Sequence, residues 1–146
     1  MADAVPQTFQ NHHRLVTLYH KVAFPILAVY LVWTTTQAIV AFAFATVLDA
    51  LVAFALIIIF FYARIFALTV QNRLIRLEMR LRMRELLPDD LRPQIDRFTV
   101  PQLVAMRFAS DAELPDLARK VIADNISDRT AIKKMIQDWQ GDHVRV

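Results

Sequence analysis

The chain has 146 residues, no cysteine and a single glycine, Gly141. Without cysteine it can form neither a disulfide nor a thiolate nucleophile, although this absence does not identify its compartment. The phosphate-binding loops of nucleotide-binding proteins need several glycines, because glycine lets the backbone approach a phosphate closely. The sequence therefore excludes the usual nucleotide-binding motifs.

Charged residues are also missing from a long central block. Between Lys21 and Arg64 the only charged residue is Asp49, while 56% of the whole chain is hydrophobic. The apolar character continues to Val70, and as one helix Val22 to Val70 would extend roughly 70 Å at about 1.5 Å per residue, more than twice a hydrocarbon core of about 30 Å. The block therefore predicts two transmembrane helices, near Val22 to Ala41 and Val47 to Leu68, with a tight turn between Phe42 and Asp49.

Two other structures could account for the apolar block. A cleaved signal peptide would use Ala41-Phe42-Ala43 or Ala43-Phe44-Ala45 as its cleavage site, but the apolar run is longer than a signal core usually is. A soluble, buried hairpin would need a polar face on each helix, and neither helix repeats polar residues at helical spacing. We therefore expect both helices to cross a membrane.

The basic residues indicate the orientation of the hairpin. Arg14 and Lys21 precede the first span, the turn has no basic residue, and all other lysines and arginines begin at Arg64. Because cytoplasmic segments are enriched in Lys and Arg, both termini are expected to be cytoplasmic. The chain then divides into an N-terminal segment (1–21), a transmembrane hairpin (22–69) and a cytoplasmic helical tail (70–146). Arg64, in the last turns of the second span, would extend its side chain to the lipid headgroups.

Polar residues near the middle of the first span form a short cluster, Thr34 to Gln37. In hydrocarbon such side chains hydrogen-bond to another helix or, for threonine, to their own helix. We expect Thr34, Thr35 and Gln37 to stabilise contacts between helices. A cofactor or quinone pocket at this cluster is the alternative.

The segment from Val70 to Leu87 is predicted to continue the second span as one helix until Pro88. Nearly all its residues are good helix formers, and β-branched residues are almost missing, which argues against a strand. At 100° per residue its apolar side chains form two stripes on nearly opposite sides. The first stripe is Val70, Leu74, Leu77 and Leu81, and the second is Ile75, Met79, Met83 and Leu86. One stripe can pack on the protein's own tail, whereas the other needs a second protomer, a partner or lipid.

The same helix is rich in arginine. An arginine near an anionic membrane surface contributes about 1 kcal/mol to binding, so the membrane explains these charges. Nucleic-acid binding is not expected, because no aromatic residues are interleaved with the basic ones. Glu78 and Arg82 are spaced for an ion pair on one helix. The residues predicted to contact lipid or a partner are Arg64, Arg73, Arg76, Arg80, Arg84, Met79 and Met83.

Three short helices are predicted after the link from Pro88 to Phe98. Thr99 with Gln102 forms a capping box that opens a helix from Val100 to Phe108. Ser110 with Glu113 opens a second helix that ends near Asp124. Ser127 starts a third, which carries Trp139 on its apolar face and which Gly141 ends. The fold class is therefore all-α, a membrane hairpin followed by a small helical bundle against the arginine-rich helix.

No set of residues predicts catalysis or a bound metal or cofactor. The four histidines, His12, His13, His20 and His143, lie outside both spans, so none could ligate a haem within the bilayer. Zinc binding by His12 and His13 would need further ligands placed by the fold. We expect a protein that is not an enzyme.

The sequence resembles a family of small two-span bacterial inner-membrane proteins of unknown function. The likeness covers most of the chain, and the segment from Gln102 to Leu114 is its most specific part. The other matching stretches are Tyr19-His20, Ala63 to Leu68 with Gln71 to Arg73 and Arg76, Ile132 to Lys134, and Asp138 to Gln140. The resemblance implies a bacterial inner membrane and two spans, and it implies no activity.

Three functions are compatible with these features. The leading hypothesis is a non-catalytic accessory or structural subunit that packs against a larger membrane complex, respiratory or photosynthetic. The second is a homo-oligomer that binds anionic lipid headgroups. The third is a small transporter or cofactor-binding protein that uses Thr34 to Gln37.

Overall fold

The structure is a computed structural model that describes residues 8–9 and 16–142. As predicted, this part of the chain is all-helical. Its only paired extended backbone is an isolated antiparallel bridge between Ala109 and Trp139. The helices are a π-helical segment Leu18–Ala23, α1 Phe24–Val40, α2 Phe44–Leu86, a 3₁₀ helix Arg92–Arg97, α3 Val100–Met106, α4 Leu114–Ala123 and α5 Arg129–Met135.

The chain divides into two compact units. One is Arg14–Leu68, called the hairpin unit below. The other is Thr69–Val146 together with Met1–His13, called the tail unit. Two helical stretches, Leu18–Val40 of 23 residues and α2 of 43 residues, are long and apolar enough to cross a membrane.

The bend of the hairpin unit lies at residues 41–43, at the start of the predicted interval, because α2 begins at Phe44, three residues before the predicted Val47. Thr46 explains this early start. Its hydroxyl accepts a hydrogen bond from the N–H of Ala43 at 3.1 Å, and its oxygen lies 2.9 Å from the carbonyl oxygen of Ala41. A side chain in the first turn that reaches back to the residue before the helix satisfies a donor that the helix leaves free. Asp49 therefore lies within α2 and not in the turn.

At the end opposite the bend, aromatic side chains hold the two helices together. The rings of Tyr19 and Phe60 stack at 3.9 Å between centroids, and the Tyr19 hydroxyl donates a hydrogen bond to the carbonyl oxygen of Phe60. Phe24 contacts the rings of Phe60 and Phe61, each at 5.8 Å. Tyr19 belongs to the π-helical segment, so the helix begins before the predicted Val22. Stacked and edge-on pairs of this kind contribute about 0.5–1.5 kcal/mol each beyond their buried area.

In the tail unit, one face of α2 forms the core with the short helices. Ile75, Met79 and Met83 are buried there, and Leu86 packs against the same cluster. This agrees with the prediction that one apolar stripe packs on the protein's own tail. The core is completed by Leu87, Leu91, Ile95, Phe98, Leu103, Ala105, Met106, Ala109, Leu114, Leu117, Ala118, Val121 and Ile132.

The link before α3 is more ordered than predicted. It contains a 3₁₀ helix, Arg92–Arg97, with a proline in its first turn, where the missing N–H costs no hydrogen bond. This helix turns Ile95 into the core. The capping box at Thr99 is confirmed, since the Thr99 N–H donates to Oε1 of Gln102 at 2.8 Å. The Nε2 of Gln102 donates to the carbonyl oxygen of Ile126 at 2.9 Å, which ties α3 to the segment after α4.

The predicted limits of the last two helices are corrected. Although the Glu113 N–H donates to the Ser110 hydroxyl, residues 111–113 form a turn and α4 begins at Leu114. The N-cap of α5 is Asp128, not Ser127, because the Asp128 carboxylate accepts from the Ala131 N–H at 2.8 Å. That helix ends at Met135, and Trp139 lies in the extended segment that bridges to Ala109. The third helix therefore does not continue to Gly141.

The end of α4 depends on a residue in the left-handed region. Asn125 has a φ of 47°, and its N–H donates to the carbonyl oxygen of Ile122. The N–H of Ile126 donates to the carbonyl oxygen of Val121 at 3.0 Å. These two bonds form a Schellman motif, in which glycine or asparagine is preferred because other side chains crowd the backbone at positive φ.

We expect Asn125→Ala to lower the free energy of unfolding of the tail unit by about 1 kcal/mol, since alanine tolerates this φ poorly. Asn125→Gly is the matched control and should be at least as stable as the parent. Trp33 and Trp139 are the only tryptophans, so in a Trp33→Phe background the fluorescence of Trp139 reports denaturation of this unit alone. Equal stability of the alanine variant and the parent would contradict this interpretation.

Candidate functional site

The part of α2 within the tail unit presents two opposite faces. On the inner face, Met79 is 3% and Met83 0% exposed, so these two side chains, predicted to contact lipid or a partner, lie in the core. The outer face carries the other predicted stripe, which is 50% to 67% exposed: Val70, Leu74, Leu77 and Leu81. We call these four residues the outer stripe. Because one helix cannot turn both faces to the same core, the outer stripe is the largest apolar surface that the tail unit leaves open on this helix.

Arg82 connects the inner face to the end of α3. Its Nη2 donates to the carbonyl oxygen of Ala109 at 2.6 Å and its Nη1 to that of Arg107 at 3.3 Å. Its Nε donates to Oδ1 of Asp111 at 2.7 Å, the same oxygen that forms the ion pair with Nη2. Carbonyls that follow the end of a helix lack intrahelical donors, and a cation there also meets the negative end of the helix dipole. One guanidinium therefore satisfies two backbone carbonyls and one carboxylate.

This role of Arg82 differs from the predicted pair with Glu78. The two residues have the right spacing on the helix, but Arg82 turns to α3 and Glu78 stays exposed. The sequence signal that could have revealed this contact is an arginine beside an apolar stripe that becomes buried. The planar guanidinium can donate to several carbonyl oxygens at once, whereas a lysine ammonium reaches them one at a time.

The other predicted arginines lie in different environments. Arg80 forms an ion pair with Asp96 at 3.0 Å, so it also ties α2 to the 3₁₀ helix. Arg73, Arg76 and Arg84 are exposed, and in the part of the chain that the structure describes none of these three forms an ion pair. Arg64 is half-buried and belongs to the hairpin unit. The structure therefore separates two structural arginines, Arg80 and Arg82, from three whose guanidinium groups are open to solvent or a ligand.

The segment after α5 is tied to the tail unit by a carboxylate and an aromatic stack. The Glu113 carboxylate accepts from the N–H groups of Gln137 and Asp138 at 2.8 and 3.0 Å. The Phe108 ring stacks on Trp139 at 4.5 Å between centroids, and the Arg107 guanidinium lies 4.3 Å above the same ring. Cations over an aromatic face add to its stability. Phe108, Glu113 and Trp139 are therefore structural residues.

In the hairpin unit, two of the three threonine hydroxyls in the polar cluster of α1 donate to their own helix. The Thr34 hydroxyl donates to the carbonyl oxygen of Tyr30 at 3.0 Å, and that of Thr36 to Val32 at 2.8 Å. Thr34 is buried, whereas Thr35 is exposed and Gln37 half-buried. Among the described residues the side chains of Thr35 and Gln37 make no hydrogen bond.

The described residues contain no group of three His, Asp or Glu side chains that could hold a metal ion. His20 is half-buried, whereas His12, His13 and His143 lie outside the described residues. A shallow apolar groove runs along α1 beside Trp33, lined by Ala28, Val29, Val32 and Thr36. A second shares Val29 and Trp33. Both grooves are formed by a single helix, so they can accept an apolar chain or the side chains of another helix.

The profile of a family of unknown function, DUF6526, matches residues 1–146, and the chain belongs to this family. No curated protein and no solved structure matches it. The expected resemblance to a family of unknown function is confirmed to that extent. None of these three comparisons adds a ligand or a reaction to the geometry.

We expect Arg82→Gln to destabilise the tail unit by about 2 kcal/mol or more, because hydrogen bonds to a charged group contribute about 1.5–3 kcal/mol each and two carbonyls would lose a donor. Arg82→Lys should recover only part of this loss, since an ammonium cannot span all three oxygens. Denaturation monitored by Trp139 fluorescence in the Trp33→Phe background measures both effects.

Arg84→Gln is the matched control for this experiment. It removes the same charge two residues away on the exposed side of α2, so the stability should change by less than about 0.5 kcal/mol. Similar losses at both positions would show that the charge of the helix matters and the contacts of Arg82 do not.

Proposed function

We propose that this member of DUF6526 is an integral membrane protein without catalytic activity that serves as an accessory or structural subunit of a larger assembly in a bacterial inner membrane. In this proposal the hairpin unit spans the bilayer, the bend faces away from the cytoplasm, and the tail unit lies on the cytoplasmic side. The protein acts through its surfaces, which bind lipid and other subunits.

The observation that carries this proposal is the exposed apolar surface of the hairpin unit. Thr34 and Ala53 are its only buried residues among those described, while most large side chains of both helices are open. Examples are Trp33, Ile39 and Phe54, which are 62%, 77% and 54% exposed. Exposing apolar surface to water costs about 25 cal/mol of free energy for each Å². Lipid tails or the helices of other subunits would cover it without that cost.

The shape of α1 supports contact with other subunits beside lipid. The grooves on either side of Trp33 are the kind of surface into which the side-chain ridge of a neighbouring helix packs. Association of helices in a bilayer depends on such van der Waals packing, since lipid already satisfies the apolar side chains. We assign this face of α1 to a neighbouring subunit of the assembly.

The open arginines of α2 support binding to anionic lipid headgroups. Arg76 and Arg84 follow the second span in sequence, and each exposes its charge. A guanidinium near anionic headgroups contributes about 1 kcal/mol, and it binds phosphate through two parallel hydrogen bonds. A transporter or a cofactor site is not favoured, because the hydroxyls of Thr34 and Thr36 are bonded to their own helix.

The membrane topology is tested with single cysteines, for which the cysteine-free parent is a natural background. In intact cells an impermeant maleimide should label Phe42→Cys at the bend, and should label Lys120→Cys on α4 only after the membrane is permeabilised. The parent chain gives the blank. Labelling of both positions from the same side would reject the proposed topology.

The subunit role is tested by mild extraction followed by native mass measurement. We expect species well above 16.9 kDa, the mass of one chain, that contain other polypeptides, with anionic lipid bound. Arg76→Gln combined with Arg84→Gln should reduce the bound anionic lipid at least severalfold, while Lys120→Gln, an exposed cation on α4, should not. A chain that carries no other polypeptide would reject the assembly role.

A further inference from the structure

We propose that the outer stripe is a parallel two-stranded coiled-coil surface that binds a second copy of this chain. The residues Val70, Leu74, Leu77 and Leu81 are separated by four, three and four positions, the spacing of alternating d and a positions in a heptad repeat. Leu74 and Leu81 then occupy a positions, and Val70 and Leu77 occupy d positions. All four side chains are exposed in the single chain, as the interface residues of a coiled coil must be before a second helix packs on them.

The charges beside the outer stripe select the partner. In the same register, Arg73 and Arg80 occupy the g positions, and Glu78 and Glu85 occupy the e positions. In a parallel two-stranded coiled coil, a g residue lies beside the e residue five positions later on the other helix. Arg73 therefore faces Glu78 of the second copy, and Arg80 faces Glu85. A surface with cations along one edge and carboxylates along the other is complementary to itself in the parallel arrangement.

The antiparallel arrangement is disfavoured by the same charges. Reversing one helix would place the arginine edge against the arginine edge, and the glutamate edge against the glutamate edge. In the described part of the chain neither Arg73 nor Glu78 has an ion-pair partner, so both are available to the second copy. Arg80 already pairs with Asp96 at 3.0 Å, which makes Arg73 and Glu78 the decisive pair.

The charged flanks of the stripe favour two strands over three or more. The apolar surface is confined to the a and d positions, because charged residues occupy both flanks and the opposite side carries the buried Ile75 and Met79. Assemblies of three or more helices bury the flanking positions more deeply, which would desolvate these charges. A dimer keeps them at the rim in contact with water.

Attachment to a membrane explains how such a short seam could associate. Two heptads are too few for a stable coiled coil in free solution, but two copies in one bilayer have a raised effective concentration. Since residue 70 follows the second span directly in sequence, copies inserted with the same topology also present their stripes in parallel. This step rests on the proposed membrane topology, whereas the register rests on the heptad spacing alone.

Disulfide crosslinking of the full chain in its native membrane tests the arrangement. We expect Val70→Cys and Leu81→Cys, at opposite ends of the outer stripe, each to form crosslinked dimers on mild oxidation. Arg76→Cys is the matched control, since it is exposed on the same helix but lies about 130° around it from the stripe, and it should crosslink at least tenfold less. Crosslinking only between the two different variants, when they are mixed, would show antiparallel helices and overturn the proposal, as would no crosslinking at either position.

Charge reversal tests the predicted partner residues. In the Leu81→Cys background, Arg73→Glu should reduce the crosslinked fraction about fivefold, because it places two acidic side chains together on each side of the seam. Adding Glu78→Arg should restore the fraction, because the exchanged charges are again opposite. A double variant that stays as weak as the single one would reject the Arg73–Glu78 pairing, since a fold defect would not be rescued by a second reversal.

The two proposals fail separately in these experiments. Crosslinked dimers that carry no other polypeptide would keep the coiled coil and reject the assembly role. Other polypeptides bound to a chain that never crosslinks would do the reverse.

Discussion

The burial of one face of α2 is the constraint on which the tail unit depends. The helices α3 and α5 have seven residues each and α4 has ten, lengths at which isolated helices are unstable in water. They form because Ile75, Met79 and Met83 offer a preformed apolar surface to pack against. A helix that begins in hydrocarbon must form its backbone hydrogen bonds internally, and extending it further costs little. In the proposed membrane setting, α2 and its apolar surface therefore form before the short helices pack on them.

Polar contacts make this apolar packing specific. An apolar face can accept other helices in many registers, whereas the guanidinium of Arg82 must reach the carbonyl oxygens of Arg107 and Ala109 and the carboxylate of Asp111 together. The ion pair of Arg80 with Asp96 and the Glu113 bonds to the backbone of Gln137 and Asp138 fix the segments on either side of the core. The arginine-rich end of α2 is therefore also the part of the helix that organises the core.

The other side of α2 connects this architecture to the proposed function. A helix whose two opposite stripes are both apolar can bury only one of them in its own tail, and the outer stripe stays open. In the hairpin unit the large side chains are open as well, so both units end in surfaces that need a neighbour. In the proposals made above, lipid, other subunits and a second copy each cover a different part of this surface.

The sequence by itself determined the all-α class, the two long apolar helices, the two stripes of α2 and the capping box at Thr99, because hydrophobic periodicity and local hydrogen bonds decide such features. The predicted start of α2, Val47, was three residues late, since the sequence does not show that the Thr46 side chain bonds to the backbone before the helix. Only the tertiary structure decided which stripe is buried, that Arg82 caps α3 and does not pair with Glu78, and that Trp139 leaves the last helix to stack on Phe108. These choices depend on residues that are far apart in the sequence and compete for the same side chain, and no local pattern records which contact is the more favourable.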